Sequence, residues 1–411
     1  MKAVVFTLGC KVNSCESATL VNGLMGMGYE VSTDLCRADL YIINTCAVTS
    51  EAEKKSRQTI ARARKFNENA KIIVTGCAAE KNAEEFLNKN GVTLVTGTKS
   101  KDKILKLLDK TGKIFYEDDE YYEEYLPAKT TYTRAYVKVE DGCDNFCSYC
   151  IVPYLRGRVR SRNPENVVNE INYLSPVEAV ITGINLSAYN YGGLRLGGLI
   201  GKLQSLNCRI RLGSLEVNII TDEFLKACAG LKDFAPHFHL SLQSGSTKVL
   251  REMNRHYTKE QFIEKCRLIR SYFPDAGITT DIIVGYSTET EEDFNETLDI
   301  VKKVEFSDIH CFPYSKREGT AGAKLKELSS EVKKDRLERL LKLKEECRSG
   351  FINRHIGKIL EFLPEAYSGG FTNGYTENYI RVYVPEKTED RLVKVRLNKI
   401  FKDGADAEII K

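Results

Sequence analysis

Three cysteines lie within eight residues, in the stretch Gly142-Cys143-Asp144-Asn145-Phe146-Cys147-Ser148-Tyr149-Cys150. The spacing is C-x3-C-x2-C. Thiolates this close make poor disulfide partners for one another, but they can converge on one soft metal centre. On a [4Fe–4S] cluster three protein thiolates leave one iron without a protein ligand, and an open metal position can bind a small molecule. A zinc site completed by a fourth residue is the competing reading. Zinc motifs usually come as paired C-x2-C or Cys/His sets, and no second pair follows here.

Composition sets the bounds. At 411 residues the chain exceeds one typical domain, so two or three are expected. A hydrophobic content of 42% is enough for sizeable cores. No apolar run reaches the length of a membrane span, and the N-terminus has no signal-peptide h-region, which makes the cytoplasm the expected location. Thirteen cysteines there point to metal binding or catalysis rather than disulfides. A net charge of +4 permits an RNA partner without arguing for one.

The first third alternates strand and helix. Val4–Phe6, Leu40–Ile43, Ile72–Val74 and Val92–Val95 read as strands, and Ser14–Met27, Glu51–Phe66, Glu80–Leu87 and Lys101–Leu108 as helices. Such a series predicts a mostly parallel sheet. The first three strands each run into a cysteine: Cys10, Cys46 and Cys77. Ligands in open α/β sheets bind beyond the carboxyl ends of the strands, so these thiols are expected to meet. They form a second three-thiolate set, alongside the simpler possibility of three small buried residues. Cys15 and Cys36 read as spare thiols. The acidic, tyrosine-rich stretch from Lys110 to Ala128 reads as a connection, with a boundary near Pro127.

Beyond it the candidate strands are Tyr136–Val139, Ala179–Thr182, Arg209–Leu212, Phe238–Leu242, Thr280–Val284 and Ile309–Phe312, with helices between them. Six βα units are too few for a closed eight-stranded barrel and suit an open, partial one, active at the strands' C-terminal mouth. Cys143, Cys147 and Cys150 follow the first of these strands. A charged helix over Lys333–Phe351 then leads to short strands at Ile359–Phe362, Phe371–Thr376, Tyr379–Val384 and Leu392–Ile400, which suggest a small β-barrel. Its charge is nearly balanced, eleven basic against nine acidic residues from Arg348 to Lys411, so charge alone gives no sign of RNA binding.

The C-x3-C-x2-C run with Tyr149 before its last cysteine resembles the radical S-adenosylmethionine (SAM) signature. The longer run through Pro153-Tyr154-Leu155-Arg156-Gly157 to Arg160-Ser161-Arg162 resembles the methylthiotransferase branch. Thr7-Leu8-Gly9-Cys10-Lys11-Val12-Asn13, Asn44-Thr45-Cys46 and Gly76-Cys77-Ala78 resemble that branch's N-terminal domain. The wording Gly-Cys-Lys-Val-Asn is most similar to the subfamily acting on N6-threonylcarbamoyladenosine in tRNA. Glu377–Val382 resembles a TRAM domain, an RNA-binding module.

The resemblance implies three units: 1–128 with an auxiliary [4Fe–4S] cluster on Cys10, Cys46 and Cys77; 129–345, the radical SAM domain; and 346–411, TRAM-like. It implies that SAM is held at the open iron of the central cluster and cleaved reductively to a 5′-deoxyadenosyl radical. Tyr149 would contact adenine, Gly183 and Asn185 the methionine end, Glu216 and Gln243 the ribose hydroxyls, and Arg255 the carboxylate. The implied partners are the tRNA anticodon stem-loop and an electron donor such as flavodoxin or ferredoxin. The implied reaction is 2-methylthiolation of threonylcarbamoyladenosine. Alternatives are isopentenyladenosine in tRNA, an aspartate of a ribosomal protein, or a non-catalytic iron–sulfur RNA-binding protein. One departure stands out: Val284-Gly285-Tyr286-Ser287-Thr288-Glu289-Thr290 replaces the family's usual Gly-Phe-Pro-Gly-Glu-Thr.

Overall fold

A computed structural model describes residues 1–99, 101–116, 122, 124, 134–389 and 391–410. The N-terminal sheet has six parallel strands in the order Glu30–Ser32, Lys2–Thr7, Leu40–Thr45, Lys71–Gly76, Val92–Thr96, Gly112–Ile114. Its strands are apolar on both faces because both faces are covered. Val4, Tyr41, Ile43, Ile72 and Val74 pack to one side, and Ala3, Val5, Leu40, Ile42 and Ile73 to the other. Gly112–Ile114 pairs with Val92–Thr96, so the stretch expected to be only a connection begins with the sheet's last strand. Most of the remaining connection lies outside the described residues.

The main central strands are parallel, and only the two-residue pairs Glu140–Asp141 with Arg160–Ser161 and Asn190–Tyr191 with Leu194–Arg195 are antiparallel among the described residues of this region. Arg134–Lys138, Glu178–Thr182 and Arg209–Leu212 form one sheet, and Ser214–Leu215, His237–Gln243, Gly277–Val284 and Asp308–Pro313 form the next. Gly213 alone separates the two, and its N–H still donates to the Ile181 carbonyl at 2.8 Å. With the pieces on either side of Gly213 counted as one strand, the result is an open six-stranded arc with a continuous apolar core behind it. The unusual loop after Val284 is held by Glu289, whose carboxylate accepts from the Gly285 N–H at 2.8 Å. Thr290 and Asp293 then form a reciprocal capping box that starts the helix Glu291–Val304.

The helix Ser330–Asn353 leads to a closed five-stranded barrel in the order Ile359–Ser368, Phe371–Thr376, Arg381–Val384, Gly404–Ile409, Val393–Phe401. The fifth strand, Gly404–Ile409, was not expected. Its sequence Gly-Ala-Asp-Ala-Glu-Ile has a single β-branched residue, and its place comes from pairing with Val393–Phe401.

This small barrel closes the amino-terminal end of the central arc. Arg211 donates to the carbonyls of Thr376 (3.2 Å) and Glu377 (3.1 Å), and Arg209 pairs with Glu361 at 2.5 Å. Arg134 pairs with Glu365. The Tyr379 ring stacks on His237 at 4.2 Å and on Tyr375 at 4.4 Å. Gly277 is required where the Asn378 carbonyl comes too close for any Cβ. Tyr375 and Tyr379 are thus committed to domain docking, and Phe371 packs on Phe401 at 5.3 Å. Among the described residues no helix is long and apolar enough to cross a membrane.

Candidate active site

The N-terminal triad is built by three strand-to-helix turns. Cys10 caps the helix Lys11–Gly26, Cys46 follows Leu40–Thr45, and Cys77 opens the helix Cys77–Lys81. Two glycines bring them together. Gly9 (φ +101°) passes so close to Cys46 that a Cβ would lie 2.9 Å from its Sγ, and Gly76 (φ +95°) would drive a Cβ to 2.5 Å from the Thr45 carbonyl. Asn13 Nδ2 ties two of the turns, donating to the carbonyls of Leu8 (2.7 Å) and Thr45 (3.1 Å).

Cys46 and Cys77 are each 5% exposed. Burial pushes the Cys46 thiol up to about 11 and raises Cys77 as well, though Arg156 and Lys101 pull Cys77 back. A lone thiolate is disfavoured there, and one neutralised by a bound metal is not.

The central triad is held differently. The loop's Ser148 Oγ donates to the Glu252 carbonyl (2.9 Å) and bonds the Tyr286 hydroxyl (2.8 Å). Asn254 Nδ2 donates to the carbonyls of Asn145 (2.8 Å) and Phe146 (3.2 Å). Phe146, Gln243 and Asn254 all hold positive φ, strain that the surrounding contacts must maintain. Asn185 Nδ2 reaches Cys143 Sγ at 3.6 Å, and Arg255 Nη1 donates to Cys147 Sγ at 3.3 Å. Burial raises Cys143 to about 11 and Cys150 to about 12.

A zinc ion with Zn–S of about 2.3 Å would need sulfurs about 3.8 Å apart. Among the described residues, the one group of three or more His, Cys, Asp or Glu ligand atoms within 4.8 Å of one another is His239, Asp281 and His310. Both cysteine triads are wider than that. Such spacing disfavours one mononuclear ion.

A buried charge cluster joins the two triads. Glu16, on the helix behind Cys10, pairs with Lys101, with Lys138 (3.0 Å) and with Arg156 (2.9 Å). Arg156 also reaches Asp141 at 3.0 Å and donates to Asn13 Oδ1 at 2.7 Å. With Arg160 at 3.6 Å from Asp141, four cations against these two carboxylates leave positive charge here, and that of Arg156 acts on Cys77 and Cys10. Its Nε–H is buried without a hydrogen-bond partner. An anionic thiolate cluster fits this surplus. Ile151 and Leu155, just past Cys150, pack into the N-terminal core, so the two cysteine loops share one interface.

The expected SAM-contacting residues divide among three cavities. Asn185, Glu216 and Arg255 line a cleft of about 710 Å³. Arg255 Nη2 pairs with Glu216 at 2.7 Å, and Glu216 also accepts from Asn145 Nδ2 at 3.2 Å. Tyr149 and Gln243 line a smaller one of about 230 Å³, with Cys150. Gly183 borders the arc's lumen, about 640 Å³, whose other walls include Cys10, Lys11, His239 and Tyr379. A Cβ at Gly183 would lie 2.6 Å from Glu140 Oε2, the oxygen that accepts from the Asn185 N–H at 2.7 Å. Burial, with Asp141 beside it, raises the Glu140 carboxyl well above the usual range.

Arg158 is exposed and pairs with Asp144 at 3.1 Å, and Cys15 donates to the Tyr136 carbonyl at 3.4 Å. Sequence reasoning missed Glu16, Lys101, Lys138, Glu140 and Asp141. Glu140 and Asp141 sit three and two residues before Cys143, a local signal; Lys101 had none.

The chain matches two family models, "Uncharacterized protein family UPF0004" over residues 2–97 and "Radical SAM superfamily" over 137–301. It is 37% identical to a protein of Bacillus subtilis named threonylcarbamoyladenosine tRNA methylthiotransferase MtaB, covering 98% of this chain and 95% of that one. A Thermotoga maritima protein of the same name is 39% identical, covering 98% and 96%. A Caldicellulosiruptor saccharolyticus protein named tRNA-2-methylthio-N(6)-dimethylallyladenosine synthase is 38% identical, covering 89% and 82%. The solved structure of the radical SAM methyltransferase TsrM from Kitasatospora setae shares the fold at a TM-score of 0.58 and 13% identity, covering 78% of this chain and 74% of that one. The chain belongs to the radical SAM methylthiotransferase family.

Proposed function

We propose that this enzyme places a methylthio group on C2 of N6-threonylcarbamoyladenosine beside the tRNA anticodon. The observation that carries the reading is the full-length likeness to relatives named for that reaction, in a chain with two separate cysteine triads at neighbouring strand ends. Its cofactors are two [4Fe–4S] clusters and SAM. When bound, they supply a radical route to a C–H bond that acid–base chemistry cannot activate.

The chain's own residues hold and insulate that chemistry. We assign Cys143, Cys147 and Cys150 to the SAM-cleaving cluster, and Cys10, Cys46 and Cys77 to an auxiliary cluster tied to sulfur insertion. Asn185 and Arg255 donate toward the sulfurs of Cys143 and Cys147, an arrangement that stabilises negative charge on them. Arg255, oriented by Glu216, offers a cation for the SAM carboxylate, and Tyr149, Gly183 and Gln243 complete the proposed SAM contacts. Arg156, Lys101 and Lys138 keep the two cysteine loops in register through Glu16.

The unit 1–128 carries the auxiliary cluster, 129–345 the SAM chemistry, and 346–411 a TRAM-like grip on the anticodon stem-loop. A small electron-transfer protein, flavodoxin or ferredoxin, reduces the central cluster, and the enzyme works in the cytoplasm.

Nucleoside mass spectrometry of tRNA from cells lacking this chain tests the reading. The 2-methylthio-N6-threonylcarbamoyladenosine signal should vanish and its unmethylthiolated precursor rise. Loss of the dimethylallyladenosine derivative instead would move the substrate assignment to the other named relatives.

A further inference from the structure

The lumen of the arc runs from Cys10 and Gly183 down to Tyr375 and Tyr379 on the small barrel. Most charges on its wall are already compensated. His239 and His310 flank Asp281 at 3.2 and 3.0 Å, and Arg381 pairs with Asp403 at 2.9 Å. Arg348 pairs with Glu345. Lys11 differs. Among the described residues it makes no hydrogen bond or ion pair, and it lines the lumen with its side chain exposed. The guanidinium groups of Arg211 and Arg134 repel it.

A second group on the same wall also lacks a partner. His237 is 5% exposed, its Nε2 bonds Thr279 Oγ1 at 2.9 Å, and its Nδ1 has none. A lumen whose wall presents an unpaired cation and a buried imidazole nitrogen without a partner suits an anion with hydrogen-bonding capacity.

We propose that this lumen receives the N6-substituent of the substrate adenine and that Lys11 pairs with its carboxylate. The proposal rests on the threonylcarbamoyladenosine reading above. A threonylcarbamoyl group carries one carboxylate and one hydroxyl, matching one unpaired ammonium and one unpaired imidazole nitrogen. A dimethylallyl group has neither, and would leave both protein groups unmatched, the arrangement by which polar sites reject apolar analogues most strongly. The volume of about 640 Å³ is ample for one such group and its base. Lys11 follows Cys10 directly, so the turn that presents a proposed auxiliary-cluster thiolate also presents the amine.

The test is binding of the reconstituted enzyme to three anticodon stem-loop RNAs, bearing threonylcarbamoyladenosine, its methyl ester, or unmodified adenosine. The wild-type enzyme should prefer the acid to the ester by about tenfold, the scale of one charge-assisted hydrogen bond. Lys11→Met should bind acid and ester alike, at the wild-type affinity for the ester, with its iron content unchanged. Lys11→Arg should keep the preference. Lys11→Gln replaces Lys11→Met if the latter loads less iron.

If the wild-type enzyme prefers acid and ester equally over unmodified adenosine, the substrate reading stands and the carboxylate pairing is overturned. A preference for the acid that survives in Lys11→Met and Lys11→Gln overturns it too. If the wild-type enzyme favours neither modified RNA, the substrate reading fails, and this proposal with it.

Discussion

Glu178 carries more of the fold than its position in a strand suggests. It is wholly buried, with Arg134, Arg209 and Arg211 around it. Burial alone would raise its carboxyl, but Arg211, Arg134 and Arg209 outweigh that and hold it at about 2. Because the folded value lies below the unfolded one, its stabilisation is fully present above about pH 4.5 and is lost as pH falls toward about 2. Glu178→Gln should cost about 3–5 kcal/mol, because three buried guanidiniums lose their shared counter-charge. Thermal melts of the apoprotein from pH 7 to pH 3 should show a steep acid limb for wild type and a flatter one for the variant. Parallel limbs would mean that other carboxylates dominate.

At the scale of elements, the strand-to-helix turns of the N-terminal sheet depend on glycine. Gly76→Ala would strain a left-handed backbone and press on the Thr45 carbonyl, displacing Cys77. The variant should lose only the auxiliary cluster, so reconstituted iron should fall from about eight to about four per chain. Retention of both clusters would show that this turn tolerates the shift.

The turns were legible in the sequence because a cysteine after a β-branched run is a local signal, and the six arc strands were legible as short apolar runs with helical stretches between them. Glu30–Ser32 and Gly112–Ile114 were not, since three-residue edge strands take their identity from a neighbour. Glu16 and Lys101 were not legible either. They are 85 residues apart, and only the packing of the helix Lys11–Gly26 brings them together. Nor did the sequence indicate that the expected SAM contacts would border three cavities, because strand-end position does not give the direction in which a side chain points.

At the scale of the molecule, the small barrel does more than append a binding module. It closes the lumen through Arg209–Glu361, Arg134–Glu365 and the Tyr379–His237 stack. Removing everything after Arg348 should therefore weaken tRNA binding and also lower the melting temperature of what remains. Tyr379→Ala, which keeps the barrel, should lower stability less and leave salt-dependent RNA binding largely in place. Melting curves and filter binding at two salt concentrations distinguish these effects. Unchanged stability on truncation would contradict the docking role.

The two cysteine triads are proposed to do different work across one shared interface. The direct test is 5′-deoxyadenosine release from SAM, under reduction, by anaerobically reconstituted Cys46→Ala and Cys147→Ala. The Cys46 variant should still release it while forming no methylthiolated nucleoside, and the Cys147 variant should release none. Equal loss of SAM cleavage in both variants, with circular dichroism unchanged, would contradict the division of labour.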